Sequence, residues 1–205
     1  MQLASLFATP ISMFENVDMA LLGKEITDIL VTESVTIPSL AKSNVGGWHS
    51  KYELQTRPEA CFQKLSEYIA NCAREMTETI AKNTGRRVAP FTTKVEMWAM
   101  VMRDGDYTVP HTHADTQWAS VFYADAGDSD DKAHPESGNI MFIDPRMGFM
   151  PITGLDIAAG EFVVKAKTGQ LLIFPGWLMH YVHVYRGKRP RVSISCNVRF
   201  QFGNK

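Results

Sequence analysis

The sequence predicts a mainly β protein, a jelly roll with N-terminal helices packed outside it, and two observations carry that expectation. Up to about residue 90 apolar residues recur at helical spacing, and from there on the period falls to two. The second half also breaks into short runs rich in β-branched and aromatic residues, separated by clusters of Gly, Pro and Asp. Seven or eight short strands joined by turns suit a jelly roll or barrel, which at this size can hold a small ligand or metal inside. A chain of 205 residues that is 45% hydrophobic can bury one sizeable core. Residues 1–205 are therefore expected to form a single domain, with 1–90 as a helical and irregular support region and 91–205 as the jelly-roll core.

The elements follow in order. NVDMALLGKEITDILVTE, residues 16–33, places Val17, Leu21, Ile26 and Ile29 or Leu30 near helical spacing, with Asn16 or Asp18 available as caps. SNVGGWHS, residues 43–50, reads as a loop. RPEACFQKLSEYIANCAREMTETIAKNTG, residues 57–85, is a long helix: Pro58 suits its first turn, Phe62, Leu65, Ile69, Met76 and Ile80 form its stripe, and Gly85 suits its C-terminal cap. The strand candidates are KVEMWAMVMRDG, WASVFYAD, NIMFID, EFVVKA, QLLIFPG, HYVHVY and RVSISCNVRF.

Charge and cysteines narrow the function classes. Lys and Arg number 21 against 22 Asp and Glu, a net charge of −1, so no overall field favours nucleic acid or an anionic membrane. Cys61, Cys72 and Cys196 are odd in number and show no CxxC spacing, which points to a reducing compartment, the cytoplasm, more than to a disulfide framework. The opening MQLASLFATPISMF lacks a basic n-region, and nowhere do about 18 apolar residues run together. Neither a signal peptide nor a membrane span is expected.

The chemistry concentrates in VPHTHADTQW, residues 109–118, where His111, His113 and Asp115 occupy every second position. Alternate residues of an extended strand share a face, roughly 6.7 Å apart, and a neutral imidazole is a good metal ligand and a poor core filler. A lone histidine is more often structural or on the surface, but an HxH pair with a third histidine at a strand start, His180, reverses those odds. His183 lies at odd spacing from His180 and is expected at the surface or behind the site. His49 and His134 sit among Gly, Ser, Asp and Pro and are expected to face solvent.

A hairpin through RGKR would pair Tyr185 with Pro190, hence His180 with Ser195 and Val184 with Arg191. Opposed residues share a face, which would put Arg191 and Ser193 on the side of His180, with Arg191 roughly 13 Å away along the sheet. A five-carbon dicarboxylate chelating a metal at His180 could reach a guanidinium fork at that distance.

MVMRDGDYTVPHTH…SVFYAD, then GQLLIFPGWLMHYV and RPRVSISCN, together resemble the Fe(II)/2-oxoglutarate-dependent oxygenases, closest to a 2OG-Fe(II) oxygenase subgroup of unassigned function with a PHTH motif. The likeness covers residues 94–200, and GGWHS also resembles that subgroup. It implies a cupin-like double-stranded β-helix, Fe(II) as metal and 2-oxoglutarate as cosubstrate, decarboxylated with oxygen to succinate and CO2 while a substrate C–H is hydroxylated. In the resemblance Arg191 and Ser193, an RxS element, grip the distal carboxylate of 2-oxoglutarate, and Tyr123 matches the tyrosine that helps to hold it in prolyl hydroxylases. Arg146, in DPR, is either a substrate contact or a turn residue.

The metal ligands depart from the pattern. Prolyl-hydroxylase-like members carry PHxD where this chain has PHTH, so the comparison maps the ligands to His111, His113 and His180, leaving His113, Asp115 and His180 as the alternative set. Two rival functions stay open: a cupin-like three-histidine metal enzyme without 2-oxoglutarate, and a metal-free jelly-roll binding protein. The substrate is expected to be a small molecule or a peptide, and the oligomeric state is open, a homodimer included.

Overall fold

The computed structural model describes residues 8–130, 132–146 and 160–203. Its elements are β1 (Ser12–Glu15), α1 (Val17–Thr36), β2 (Asn44–Val45), β3 (Trp48–His49), a 3₁₀ turn (Leu54–Thr56), α2 (Ala60–Asn83), β4 (Phe91–Met102), β5 (Tyr107–His111), β6 (Trp118–Asp125), β7 (Ile140–Ile143), β8 (Glu161–Val164), β9 (Gln170–Pro175), β10 (His180–Val182) and β11 (Arg191–Phe202). They form two antiparallel sheets, ordered β1-β9-β6-β11-β4-β3 and β2-β5-β10-β7-β8. No described helix is long and apolar enough to cross a membrane. Most of the loop 146–160 lies outside the described residues.

The six-stranded sheet is buried on both faces, which explains why its strands read as near-continuous apolar runs. Met97, Ala99 and Val101 of β4 point to the helices, where they meet Phe62, Leu65 and Ile69 of α2 in the larger core. Trp98, Met100 and Met102 point the other way, with Tyr185, into the space between the sheets. Tyr123 and Phe174 face that space too, packing with Phe142 of β7.

The start of α1 and the end of α2 are as expected, whereas Pro58 lies outside the first turn of α2, ahead of its N-cap Glu59. Asn16 Oδ1 accepts the N–H groups of Asp18 and Met19 at 2.8 and 3.3 Å, satisfying donors that an uncapped helix leaves free. At the end of α2, Gly85 takes φ 64°, and the Gly85 and Arg86 N–H groups close on Lys82 O and Ala81 O at 3.2 and 2.8 Å.

Three expectations are corrected. The stripe of α1 is rotated: Gly23, Ile26 and Leu30 are buried, whereas Val17 and Leu21 are 79% and 72% exposed. The reason is a close approach, since a Cβ on Gly23 would stand 2.7 Å from Ala124 O of β6. The region 1–90 is also not only helical and irregular, because β1, β2 and β3 join the sheets. Runs of two to four residues are too short to show a period.

The third correction is the hairpin. β10 pairs with β5 and β7, and β11 pairs with β4 and β6, so His180 and Arg191 lie in different sheets. The run HYVHVY is strand only to Val182; beyond it His183 N–H bonds Asn139 O and Tyr185 N–H bonds Asp106 O, at 3.0 and 2.8 Å. Those bonds carry the chain across from one sheet to the other.

Candidate metal centre

β5 and β10 are neighbours in the smaller sheet, and their register sets His111 directly opposite His180. His113 lies just past the end of β5, tied down by its N–H to Gly176 O at 2.8 Å. One ring nitrogen from each of His111, His113 and His180 therefore falls within 4.8 Å of the others. The ring centroids are 4.4 Å apart for His111 and His180, 5.2 Å for His113 and His180 and 5.6 Å for His111 and His113.

The rings share one tautomer. Nδ1 of His111, His113 and His180 meets a carbonyl oxygen in each case, that of Val109 at 2.8 Å, Asn197 Oδ1 at 2.6 Å and that of Leu178 at 2.8 Å. A carbonyl can only accept, so Nδ1 carries the proton and Nε2 is left with its lone pair. Burial depresses all three imidazoles, His113 to about 4 and His180 to about 3, and each is also pushed down by its neighbours in the cluster in those two cases. They are neutral near pH 7, the form that binds metals.

Asp115 stands outside. It is exposed, adopts φ 50° and offers Arg199 only its backbone oxygen, at 3.0 Å. The left-handed turn at Asp115 ends the extended run, which is why the alternation H-T-H-A-D does not continue onto one face.

Asn197 was not legible from the sequence. It lies on β11, 84 residues from His113, and its orientation is set by Nδ2 donating to Glu96 Oε2 at 2.9 Å, a carboxylate that Arg199 also meets at 3.3 Å. Both bonds together decide which way the amide points. Nothing local marks the residue.

The three histidines line a cavity of about 430 Å³ between the sheets, and Arg191, Ser193 and Tyr123 line it too. Arg191 is 1% exposed. Its Nη1 donates to Ser193 Oγ at 3.3 Å and approaches Met102 Sδ at 3.7 Å, and its guanidinium lies 5.0 Å from the Tyr123 ring centroid. Among the described residues no carboxylate pairs with it, and Arg191 Nε and the Tyr123 hydroxyl are buried without a hydrogen-bond partner. Burial pulls the Arg191 pKa down and pushes that of Tyr123 up, but a guanidinium keeps its charge.

The other candidates divide. His134 is exposed and His183 half-buried, 3.4 Å from Glu136. Arg146 pairs with Asp144 two residues before it, and that contact holds the half-buried Asp144 carboxyl down at about 2. His49 is a correction: it is 2% exposed and lines the cavity. Its Gly and Ser neighbours suggested solvent, but β3 pairs with β4 and turns the ring inward.

The donor set fits a borderline divalent cation: three neutral imidazoles whose Nε2 atoms keep the lone pair, that of His111 meeting only the Ser43 hydroxyl at 3.4 Å, each ring held by a carbonyl behind it. The buried, unpaired guanidinium fits a carboxylate-bearing molecule in the same cavity.

Residues 96–197 match the family described as "Putative 2OG-Fe(II) oxygenase". A search of curated proteins by sequence finds no match. Among solved structures, the chain is similar to a prolyl-4-hydroxylase from Pseudomonas putida, with 15% identity over 97% of this chain and 96% of that one and a TM-score of 0.59. It is also similar to HygX from Streptomyces hygroscopicus, solved with nickel and 2-oxoglutarate bound, at 10% identity over 93% and 83% and a TM-score of 0.61. The epimerase SnoN, solved with Fe3+, alpha ketoglutarate and nogalamycin RO, gives 14% identity over 93% and 79% and a TM-score of 0.62. These likenesses bear on the fold, a mainly β double-stranded helix of two facing sheets. By that fold and the match over residues 96–197, the chain belongs to the Fe(II)/2-oxoglutarate-dependent oxygenase superfamily.

Proposed function

We propose that this oxygenase holds Fe(II) through His111, His113 and His180, binds 2-oxoglutarate through Arg191, Ser193 and Tyr123, and hydroxylates a C–H bond of a separate substrate with release of succinate and CO2. The observation that carries the reading is the Arg191 guanidinium, 1% exposed, without a carboxylate partner among the described residues, in the cavity that the three histidines line. Burying an unpaired charge costs several kcal/mol, and an anionic cosubstrate entering that cavity offsets the cost.

The residues then have separate tasks. The Arg191 fork takes the distal carboxylate with two parallel N–H donors. Ser193 Oγ, which already accepts from Arg191 Nη1, and the unpartnered Tyr123 hydroxyl donate to the same carboxylate. Met102, Phe174 and Ile140 line the cavity between the sheets and keep it dry, which strengthens each polar contact. Iron, when bound, supplies dioxygen activation coupled to decarboxylation of the 2-oxo acid. The substrate enters the same cavity at the end away from Arg191.

One observation favours a rival: the cluster holds no carboxylate, as a cupin-like three-histidine enzyme without 2-oxoglutarate would have it. Calorimetry under argon separates the two. The iron-loaded parent is expected to bind 2-oxoglutarate, Arg191→Lys to weaken it by about tenfold to a hundredfold because the charge stays and the fork is lost, and Arg191→Ala to weaken it further. Neither variant is expected to lose iron. No binding by the parent, or unchanged affinity in Arg191→Ala, selects the rival.

A further inference from the structure

The GGWHS segment has no task in that mechanism, yet it builds a wall of the same cavity. Gly46 and Gly47 take φ 67° and 62°, a left-handed pair that only glycines adopt without strain, and a Cβ on Gly46 would run into the Asp106 carboxylate. The turn delivers β3 to β4, with Trp48 opposite Val101 and His49 opposite Met100.

His49 Nδ1 meets Ser50 O at 2.6 Å, so the proton sits there. Its Nε2 is an acceptor with no hydrogen-bond partner among the described residues. The ring stacks on the Trp98 indole, with centroids 6.0 Å and planes 12° apart, and Tyr52 packs against both at 5.3 and 4.7 Å. Lys42 is exposed at the rim of this wall, its Nζ 5.9 Å from the Tyr52 ring. Among the described residues no carboxylate pairs with it.

The wall is near the histidines and far from the cosubstrate anchor. Trp98 lies 5.6 Å from His113, ring to ring. Along β4 it sits opposite Ser195, whereas Met102 sits opposite Arg191, a separation of four residues or roughly 13 Å.

We propose that His49, Tyr52, Trp98 and Lys42 form the primary-substrate subsite, and that it takes a small carboxylic acid that also carries a hydroxyl or N–H group. This rests on the oxygenase reading above. Burial, and to a smaller extent Lys42, lowers the His49 pKa, so the ring is neutral and its Nε2 can only accept. An acceptor that faces the cavity from a buried ring selects for a donor on the substrate, because a bound molecule lacking one covers it and leaves it unpaired. Lys42 attracts the carboxylate, and the apolar part lies on the aromatic faces between them. A cavity of about 430 Å³ is of small-molecule size, and His49 is enclosed by its wall, so a small molecule fits better than a length of peptide.

The test uses Zn(II)-loaded protein saturated with 2-oxoglutarate, in which no turnover occurs. Saturation-transfer NMR screens the amino acids and the hydroxy acids glycolate, lactate and malate, each against its carboxamide. At least one acid is expected to bind, and its carboxamide to bind about tenfold more weakly. Lys42→Met should abolish that preference. His49→Phe, which keeps the stack and removes the acceptor, should weaken the acid by about tenfold, while His49→Gln retains most of the binding.

If His49→Phe does not fold, the exposed Lys42 variant and His49→Gln carry the test. Affinity for 2-oxoglutarate should stay within about twofold in every variant, since the anchor is roughly 13 Å away. No acid bound, or acid and carboxamide bound alike, overturns the subsite while leaving the oxygenase reading intact. Failure of the parent to bind 2-oxoglutarate overturns both.

Discussion

Each imidazole of the triad is oriented by a different carbonyl, and only that of His113 belongs to a side chain, Asn197. Partners of this kind typically contribute 10–100-fold to metal affinity. Asn197→Leu is expected to weaken Zn(II) binding by about that factor, and Asn197→Asp, which keeps an acceptor, to restore most of it, as read by competition with a chelator. His113→Ala or His180→Ala should leave purified protein without iron by elemental analysis, whereas Asp115→Ala should keep it. Full iron in both histidine variants would show the triad to be misassigned. Three neutral ligands also leave the charge of a divalent cation uncompensated, so 2-oxoglutarate, a dianion, should tighten Fe(II) binding by at least about tenfold, and Fe(II) should tighten 2-oxoglutarate equally. Independent affinities in anaerobic titrations would contradict that coupling. The HxH spacing made His111 and His113 legible because both lie within three residues of one strand; Asn197 and His49 were not, because a hydrogen-bond acceptor 84 positions away and a ring turned inward by strand pairing leave no local pattern.

At the level of elements, the expected stripe of α1 held at Ile26 and Leu30 and missed at Val17 and Leu21, because periodicity finds a face only where that face is apolar, and here it includes Gly23. Gly23→Ala tests the contact. Replacing glycine in a helix interior by alanine ordinarily gains about 1 kcal/mol, but here the new Cβ would stand 2.7 Å from Ala124 O, a backbone atom that cannot swing aside. Overpacking typically costs about 1–3 kcal/mol, so the variant should be destabilised, with a lower urea midpoint; a raised midpoint would mean that helix and sheet separate freely. The hairpin expectation failed for a different reason. RGKR is a credible turn locally, and only the bonds of Tyr185 and His183 to residues on other segments show that the chain crosses between sheets there. Arg191 and His180 still meet in one cavity, as expected, but across it rather than along a strand.

For the whole molecule, the site is a load on stability. Arg191→Met removes a buried unpaired charge and keeps much of the volume, so without 2-oxoglutarate the variant should be as stable as the parent or more so, by up to about 3 kcal/mol, while losing cosubstrate binding. A large loss of stability in chemical denaturation would mean that the guanidinium is structurally satisfied. The metal-free triad has a pH consequence. The folded-state pKa values of His113 and His180, about 4 and about 3, lie below the usual value of about 6.5 for an unfolded chain. The unfolded state then binds more protons between those limits, so stability is present above pH about 6.5 and is lost as pH falls toward 4. Urea midpoints of metal-free protein at pH 7.5, 6.5 and 5.5 should fall in that order, and a flat series would contradict the buried neutral rings. By itself the sequence determined the architecture, because period two and turn residues are local properties, and it determined the metal-binding segment, because PHTH packs two ligands into one turn of chain. Only the tertiary structure decided what surrounds those ligands, the inward ring of His49, the acceptor of Asn197 and the place of Arg191 across the cavity from His180 rather than along a hairpin, because each depends on which strands pair across two sheets, and pairing is set by the burial of the whole core rather than by any one segment.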